Sequence, residues 1–482
     1  MKTVRPPVLA AVVLVTTCCP APAATIHVPG DQPTIQAGLD AATFGDSVVV
    51  ASGAYTEHDI LMKSGVCLVS ETMEADCVTV DAQGLGRGFI CDQVDASTTI
   101  AGLTITGGLA AGPQPADCGG GMYCFYCSPA LSNLRFEANE ADWGGGLCCY
   151  CMASPSLEGC VFEGNLAVEF GGGIYCYYYS SPLLVDCTFR ENAVTYFGGG
   201  GACCTSYSSA VFVGCAFVAN YTYGEGAGLI CIASSPSLTD CLFDHNEVSL
   251  SGSGAGISCR FGAAPTLKRC TITGHEAPRG AGMYCEDSAP FVMDCTFENG
   301  DATRGAGISC SSSPAVITGS LFLRNHGFEG GALYCSESSP TLKSCTLVEN
   351  RAGYPARGAG IHAHRRSSPT LKDCIIAFST EGGAVYCENT SAVYLSCCDV
   401  YGNVDGNWTG CIADQYGVCG NICANPLFCG TLNPDEPYSL DGGSPCAPMT
   451  NPECGLIGAF DVGCGVTTVE DWSWGAIKGM FR

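Results

Sequence analysis

With 64 glycines among 482 residues, 47% hydrophobic and 14% charged, the chain is too apolar to stay disordered and too rich in glycine for long helices. Many short strands are expected. The net charge of -26 opposes binding to nucleic acid and to anionic membranes, so a polyanion would need a bridging cation or a local basic patch.

At the start of the chain, Lys2 and Arg5 precede an apolar run from Val8 to Val15 and then Ala21-Pro22-Ala23. This is the pattern of a signal peptide over residues 1–23, cleaved after Ala23. Cys18 and Cys19 offer a lipoprotein alternative, against which Thr17 stands. No later apolar run is long enough to cross a bilayer, so the product is expected to be secreted or held at the cell surface. Setting aside Cys18 and Cys19, 35 of the 37 cysteines remain in a compartment where disulfides form.

Residues 24–108 read as an N-terminal cap and irregular first coils. In HVPGDQPTIQAGLDAATFGDSVVV (His27 to Val50), Thr34 caps a short helix whose Ile35 and Leu39 share one face, and Val48 to Val50 form a strand. This opening resembles the start of pectin-lyase-like right-handed β-helix proteins, in which a helix covers the open end of the solenoid.

Residues 109–410 carry a repeat, seen best in GGGIYCYYYSSPLLVDCTFREN from Gly171 to Asn192. Alignment on Cys124, Cys149, Cys176, Cys204, Cys231, Cys259, Cys285, Cys310, Cys335, Ala363 and Cys387 defines successive coils. Ile174 and Cys176 alternate with Tyr175, and Cys187 alternates with Phe189, as on strands of period two with one inward face. Asp186, Gly214, Asp240, Asp294 and Asp373 recur before the second cysteine, where a left-handed bend is expected. The LxxCxFxxN block alone would also suit a leucine-rich repeat, but the remainder of each coil is glycine-rich and β-patterned. The expected fold is all-β: a single right-handed parallel β-helix solenoid of about 14 coils, with an N-terminal helical cap and a cysteine-rich C-terminal cap.

The elements GGGI at 171–174, GAGI at 254–257 and 305–308, FEAN at 136–139, FREN at 189–192 and FLRN at 322–325 resemble repeats of the chlamydial polymorphic outer membrane protein family. That resemblance implies a surface-exposed β-helix used in adhesion. It stops near residue 403, and the remaining residues are too few for an autotransporter barrel. Residues 411–465 form a cysteine-rich closing segment, with NPLF, YSLDGGSPC and GLIGAF in the order found in many secreted β-helix proteins. Residues 466–482 form a tail with a possible sorting or docking role.

Functional candidates are few. Within single coils, Cys149 with Cys160, Cys176 with Cys187, Cys204 with Cys215, Cys231 with Cys241, Cys259 with Cys270, Cys285 with Cys295 and Cys335 with Cys345 are candidate disulfides; two stacked ladders of buried thiols are the alternative. Asn139, Asn165, Asn192, Asn220, Asn246, Asn325, Asn350 and Asn403 should stack as an amide ladder, with His275 in that place in one coil. Tyr126, Tyr150, Tyr175, Tyr177, Tyr178 and Tyr179 are read as outward rings able to stack on sugars. Arg357, Arg365 and Arg366 belong to the one basic patch, with Arg351, His362, His364 and Lys372, and could hold an anionic sugar. No catalytic residue, metal site or cofactor is assigned: Asp92 with Asp95 is the nearest carboxylate pair, and CCYC at 148–151 has no second half. A non-enzymatic, displayed binder of a cell-surface glycan or protein is expected, with a carbohydrate-active enzyme as the alternative.

Overall fold

A computed structural model describes residues 24–353, 357–388 and 390–465. The expected leader and the tail beyond residue 465 lie outside these residues. The chain winds into a right-handed parallel β-helix whose coils contribute strands in turn to four sheets. Taking one coil, Ile174–Tyr177 joins a 13-stranded sheet 1, Leu183–Val185 a 15-stranded sheet 2, Thr188–Arg190 a 14-stranded sheet 3, and Ala193–Val194 a 10-stranded sheet 4. Fifteen strands at about 4.8 Å spacing make a rod about 70 Å long.

Register is kept residue for residue, so like stacks on like. Cys149 pairs with Cys176 and Cys176 with Cys204 on sheet 1; Phe162 pairs with Phe189 and Phe189 with Phe217 on sheet 3. The phenylalanine rings of successive coils lie 4.7, 4.8, 4.7 and 4.5 Å apart from Phe136 to Phe243, nearly parallel. Such stacking adds about 1 kcal/mol per pair beyond burial. Asp186, Asp240, Asp294 and Asp373 take φ between 51° and 55°, the left-handed bend the aspartate column indicates.

The amide ladder is present and buried. Asn192 Nδ2 donates to Asn220 Oδ1 at 3.0 Å and to the Phe162 carbonyl at 2.9 Å, while its Oδ1 accepts from Asn165 N and Nδ2. His275 continues the ladder by accepting from Asn246 N at 3.0 Å. A serine ladder that sequence reading missed runs parallel to it: Ala153 N, Ser180 N and Ser208 N each donate to the hydroxyl of Ser180, Ser208 and Ser234 one coil on. Its signal was the Ser-Ser-Pro that precedes sheet 2 in many coils.

The cysteine pairs inside each coil do not form. Cys149, Cys160, Cys176, Cys187, Cys204, Cys215, Cys231, Cys241, Cys259, Cys270, Cys285, Cys295, Cys335 and Cys345 are buried free thiols. The two cysteines of a coil lie on different sides of the solenoid, one on sheet 1 and one at the bend before sheet 3. Each meets its counterparts in adjacent coils instead: the Cys215 thiol is hydrogen-bonded with those of Cys187 and Cys241. Burial pushes the Cys149, Cys203 and Cys335 thiols up, so these three are neutral apolar filler.

Both ends are closed. Helix Ile35–Ala41 is capped by Thr34, whose hydroxyl accepts from Ala37 N, and buries Ile35 and Leu39. The Glu57 carboxylate takes the Ile35 and Gln36 N–H groups at 2.7 and 2.9 Å, serving donors that a helix start leaves open. At the far end Ile412, on the turn Gly410–Gln415, enters the main core. The closing segment then folds back along the outer face of sheet 3: Leu440, Cys446 and Ile457 pack on Ile375 and Ala377, and Phe428, Tyr438 and Phe460 on Leu321, Leu323 and Val348. Disulfides Cys387–Cys411, Cys397–Cys454 and Cys429–Cys464 fasten it. Two of the three tie the segment to the rod.

Candidate functional site: an outer groove between two sheets

The glycine run between sheets 4 and 1 turns the chain so sharply that its positions hold only glycine or alanine in coils such as Gly171–Gly173, Gly226–Gly228 and Gly254–Gly256. A Cβ on Gly172 would stand 2.6 Å from the Ala193 and Gly200 carbonyl oxygens, and one on Gly173 2.5 Å from Gly201 O. Sheet 4 is therefore a flange, with its own small inner cluster of Ala227, Val248, Ala255, Ala277, Ala281, Ala302 and Ala306. Its outermost residues lie against the outward side chains of sheet 1. The two columns line a groove along the rod.

In the first half of the rod the groove is filled with apolar side chains. Trp143 and Phe170 of sheet 4 approach Tyr175 at 5.2 and 6.3 Å between ring centroids, and Tyr123, Cys148, Cys203 and Ile230 extend the cluster. This corrects the reading of Tyr175 as a free outward ring: it points outward but is 2% exposed, and burial drives its hydroxyl pKa up. Tyr150 and Tyr177 are half-buried, 5.1 Å apart, and burial pushes Tyr150 up to about 12. Tyr126, Tyr178 and Tyr179 are the exposed members, at 46%, 44% and 51%. They sit where sheet 1 turns into sheet 2, and Tyr179 stacks on Tyr207 of the next coil at 5.4 Å.

Farther along, the same two columns become charged. Arg279 and Arg304 are register partners on adjacent coils of sheet 4. Their guanidinium groups stand 5.5 and 5.6 Å from the ring centres of Tyr284 and Tyr334 on sheet 1, within cation–π range. With Ser309, Ser311, Ser336, His364 and Arg365 these residues enclose a cavity of about 140 Å³. Burial raises the Tyr284 hydroxyl to about 12 and also raises Tyr334, so both rings are neutral donors at pH 7.

The carboxylates bordering this cavity are already engaged. Glu329 pairs with Arg304 at 2.9 Å and with Arg357, and Glu286 pairs with Arg260. Arg357, expected in a basic patch, thus shares the single Glu329 charge with Arg304, which leaves the three with a net positive charge; Arg351 is neutralised by Glu381 at 2.6 Å. Arg365 and Arg366 are exposed, and among the described residues neither Arg365 nor Arg279 has a carboxylate within 4.0 Å. Glu225, deeper in the groove, is pushed up by burial, against the pull of Arg260 at 3.1 Å and the Ser258 hydroxyl at 3.2 Å. Asp92 and Asp95 take local roles, bonding to Gln93 and Ser97.

One constellation escaped sequence reading. His362 and His364 alternate on strand Ile361–His364 of sheet 1, and Ala363 is in register with Cys387 of the next coil. Glu388 therefore lies beside His364, with Oε2 2.5 Å from Nδ1 and Oε1 3.8 Å from His362 Nε2. His362 is fully buried, and burial pushes its imidazole down to about 4 against the opposing pull of Glu388. The signal was a His-x-His on an aligned strand with a glutamate one coil later, legible only once the coils are in register.

Coils kept in register, four parallel sheets and stacked ladders define a single-chain β-solenoid with a lined outer groove. The sequence matches the right-handed β-helix region family over residues 65–243 and 225–399, and the chain belongs to that family. No curated protein matches it in sequence. Similar solved structures include the A-module of a mannuronan C-5 epimerase from Azotobacter vinelandii, at 12% identity over 74% of this chain and 94% of that one, TM-score 0.40. The pectate lyase Pel9A aligns at 10% identity over 92% and 97% of the two chains, TM-score 0.31. The catalytic unit of an α-1,3-glucanase from Streptomyces thermodiastaticus aligns at 13% identity over 84% and 70%, TM-score 0.36. Among the described residues no helix is long and apolar enough to cross a membrane.

Proposed function

We propose that this protein is an extracellular, non-enzymatic β-helix that binds an anionic polysaccharide through the groove at Arg279, Arg304 and Arg365. The observation that carries the reading is the Arg279–Arg304 pair, held side by side over Tyr284 and Tyr334 in a chain of net charge -26. Guanidinium groups spaced by the coil repeat suit successive carboxylates or sulfates of a polymer, and the serine and tyrosine hydroxyls suit its ring oxygens. Exposed Tyr178, Tyr179 and Tyr207, several coils away, offer flat stacking surfaces to the same extended ligand. Glu286 and Glu329, which border the cavity, are tied in ion pairs with arginines, so neither is a free carboxylate poised for acid–base work. Glu225, raised by burial beside Arg260, is the feature that favours a carbohydrate-active enzyme.

The test is a panel of polyuronates, sulfated glycans and neutral glucans, scored for retention at low and high salt and for released product. Retention of the anionic polymers, weakened by salt and roughly 10- to 100-fold by Arg279→Ala, is expected. Retention that ignores both charge and Arg279→Ala would refute the groove. Product formation abolished by Glu225→Gln would establish the enzyme instead.

A further inference from the structure

We propose that His362, His364 and Glu388 form a binding site for one divalent transition-metal ion, with Zn²⁺ the ion best suited to the donor set. The three donor atoms lie within 4.8 Å of one another. Ligands held at 2.0–2.1 Å around a tetrahedral zinc stand about 3.4 Å apart; Glu388 Oε1 lies 3.8 Å from His362 and Oε2 2.5 Å from His364, and one donor atom from each residue falls within 4.8 Å of the others. Rotation of the side chains about their χ angles, closing the widest separation by about 1.4 Å, completes the set. The backbone supplies the convergence: two histidines on one face of a strand, and a glutamate brought beside them by coil register.

A second observation points to a missing partner. His362 is fully buried, yet neither of its ring nitrogens has a hydrogen-bond partner, and His364 Nδ1 has none of acceptable geometry. Buried polar atoms are almost always satisfied. The His362 ring is instead flanked by Tyr334 and Tyr386 at 5.3 and 5.0 Å between centroids, contacts that fix its orientation without satisfying its nitrogens. Imidazole and carboxylate donors favour zinc and its neighbours over calcium or magnesium, which want oxygen ligands. Arg357, whose charge opposes a cation at His362, is paired with Glu329. Three protein ligands leave a fourth position open, on the side where His364 borders the Arg304 cavity. The site stands independently of polysaccharide binding.

The experiment is equilibrium dialysis of the folded protein against Co²⁺ and Zn²⁺ after accessible thiols have been alkylated. Metal is counted by elemental analysis, and Co²⁺ geometry is read from its visible absorption. One ion per chain is expected, with tetrahedral or five-coordinate Co²⁺ bands and no thiolate charge-transfer band. Uptake should fall at least tenfold in affinity in Glu388→Gln, whose partly exposed position spares the core, and vanish in His362→Ala with His364→Ala. Circular dichroism confirms folding of each variant. Equal uptake by wild type and Glu388→Gln, or a cobalt spectrum dominated by thiolate, would overturn the proposal.

Discussion

Replacing Asn192 by alanine tests whether the amide ladder holds the coils together. The substitution removes four hydrogen bonds at a fully buried site. The Asn165 N–H loses its acceptor outright, while the Asn165 and Asn220 amides and the Phe162 carbonyl each lose one bond. One orphaned backbone donor costs about 1–3 kcal/mol, and each remaining lost bond about 1 kcal/mol. Together they give a loss of about 4–6 kcal/mol. Stability in a solenoid is shared between neighbouring coils, so the loss should show in urea unfolding and as faster amide exchange concentrated in residues 160–220. Asn192→His should cost less, because His275 holds the equivalent place and still accepts from the preceding backbone N–H. A loss below about 1 kcal/mol, or exchange unchanged around Asn165, would refute the ladder as a source of stability.

Two further outcomes are expected. Asp399 is buried, accepts from Ala424 N at 3.0 Å and from the Cys446 thiol at 3.3 Å, and is pushed up from 3.8 to about 7. The folded chain thus binds the extra proton between pH 4 and 7, and stability should fall by roughly 4 kcal/mol as pH rises through that window, then level off. Asp399→Asn should flatten this dependence in chemical denaturation at pH 5 and 8; an unchanged slope would contradict it. Thiol titration of unreduced protein unfolded in guanidinium should count the 29 free cysteines of the described residues, plus Cys18 and Cys19 where these are retained, whereas seven bonds within coils would lower the count by fourteen.

The axial features were legible because the repeat announces them. Asn192, Asp186 and the Phe189 column recur at fixed places, and a parallel register turns sequence recurrence into spatial stacking. The circumference was harder to read. The alternation rule sends Tyr175 outward, correctly, but whether outward means exposed depends on the angle at which sheet 4 returns, and that angle is set by the Gly171–Gly173 turn. The cysteines failed for a related reason: proximity in sequence suggested a bond from Cys176 to Cys187, while the coil carries them to different sides and brings each beside its counterparts. The cap was recognisable from its cysteines, but not its path back along sheet 3, which outward-facing Leu321, Leu323 and Val348 signal only after strand faces are known.

The groove arises from the same geometry. A regular solenoid repeats its backbone every coil, so specificity on its surface must come from columns whose residues change along the rod. The sheet 4 column changes against a tyrosine that recurs on sheet 1, from Trp143 with Tyr175 to Arg304 with Tyr334. The apolar half is packed shut and stiffens the flange; the charged half keeps a cavity. Next to that cavity Ala363 replaces the ladder cysteine on the inside and His362 the tyrosine on the outside, so the coil that departs from the repeat on both faces also carries three unsatisfied buried imidazole nitrogens. Departures from a repeat that is otherwise so regular cost stacking energy, and their convergence at one end of the groove is the reason to look for the chemistry of this protein between Arg279 and Glu388.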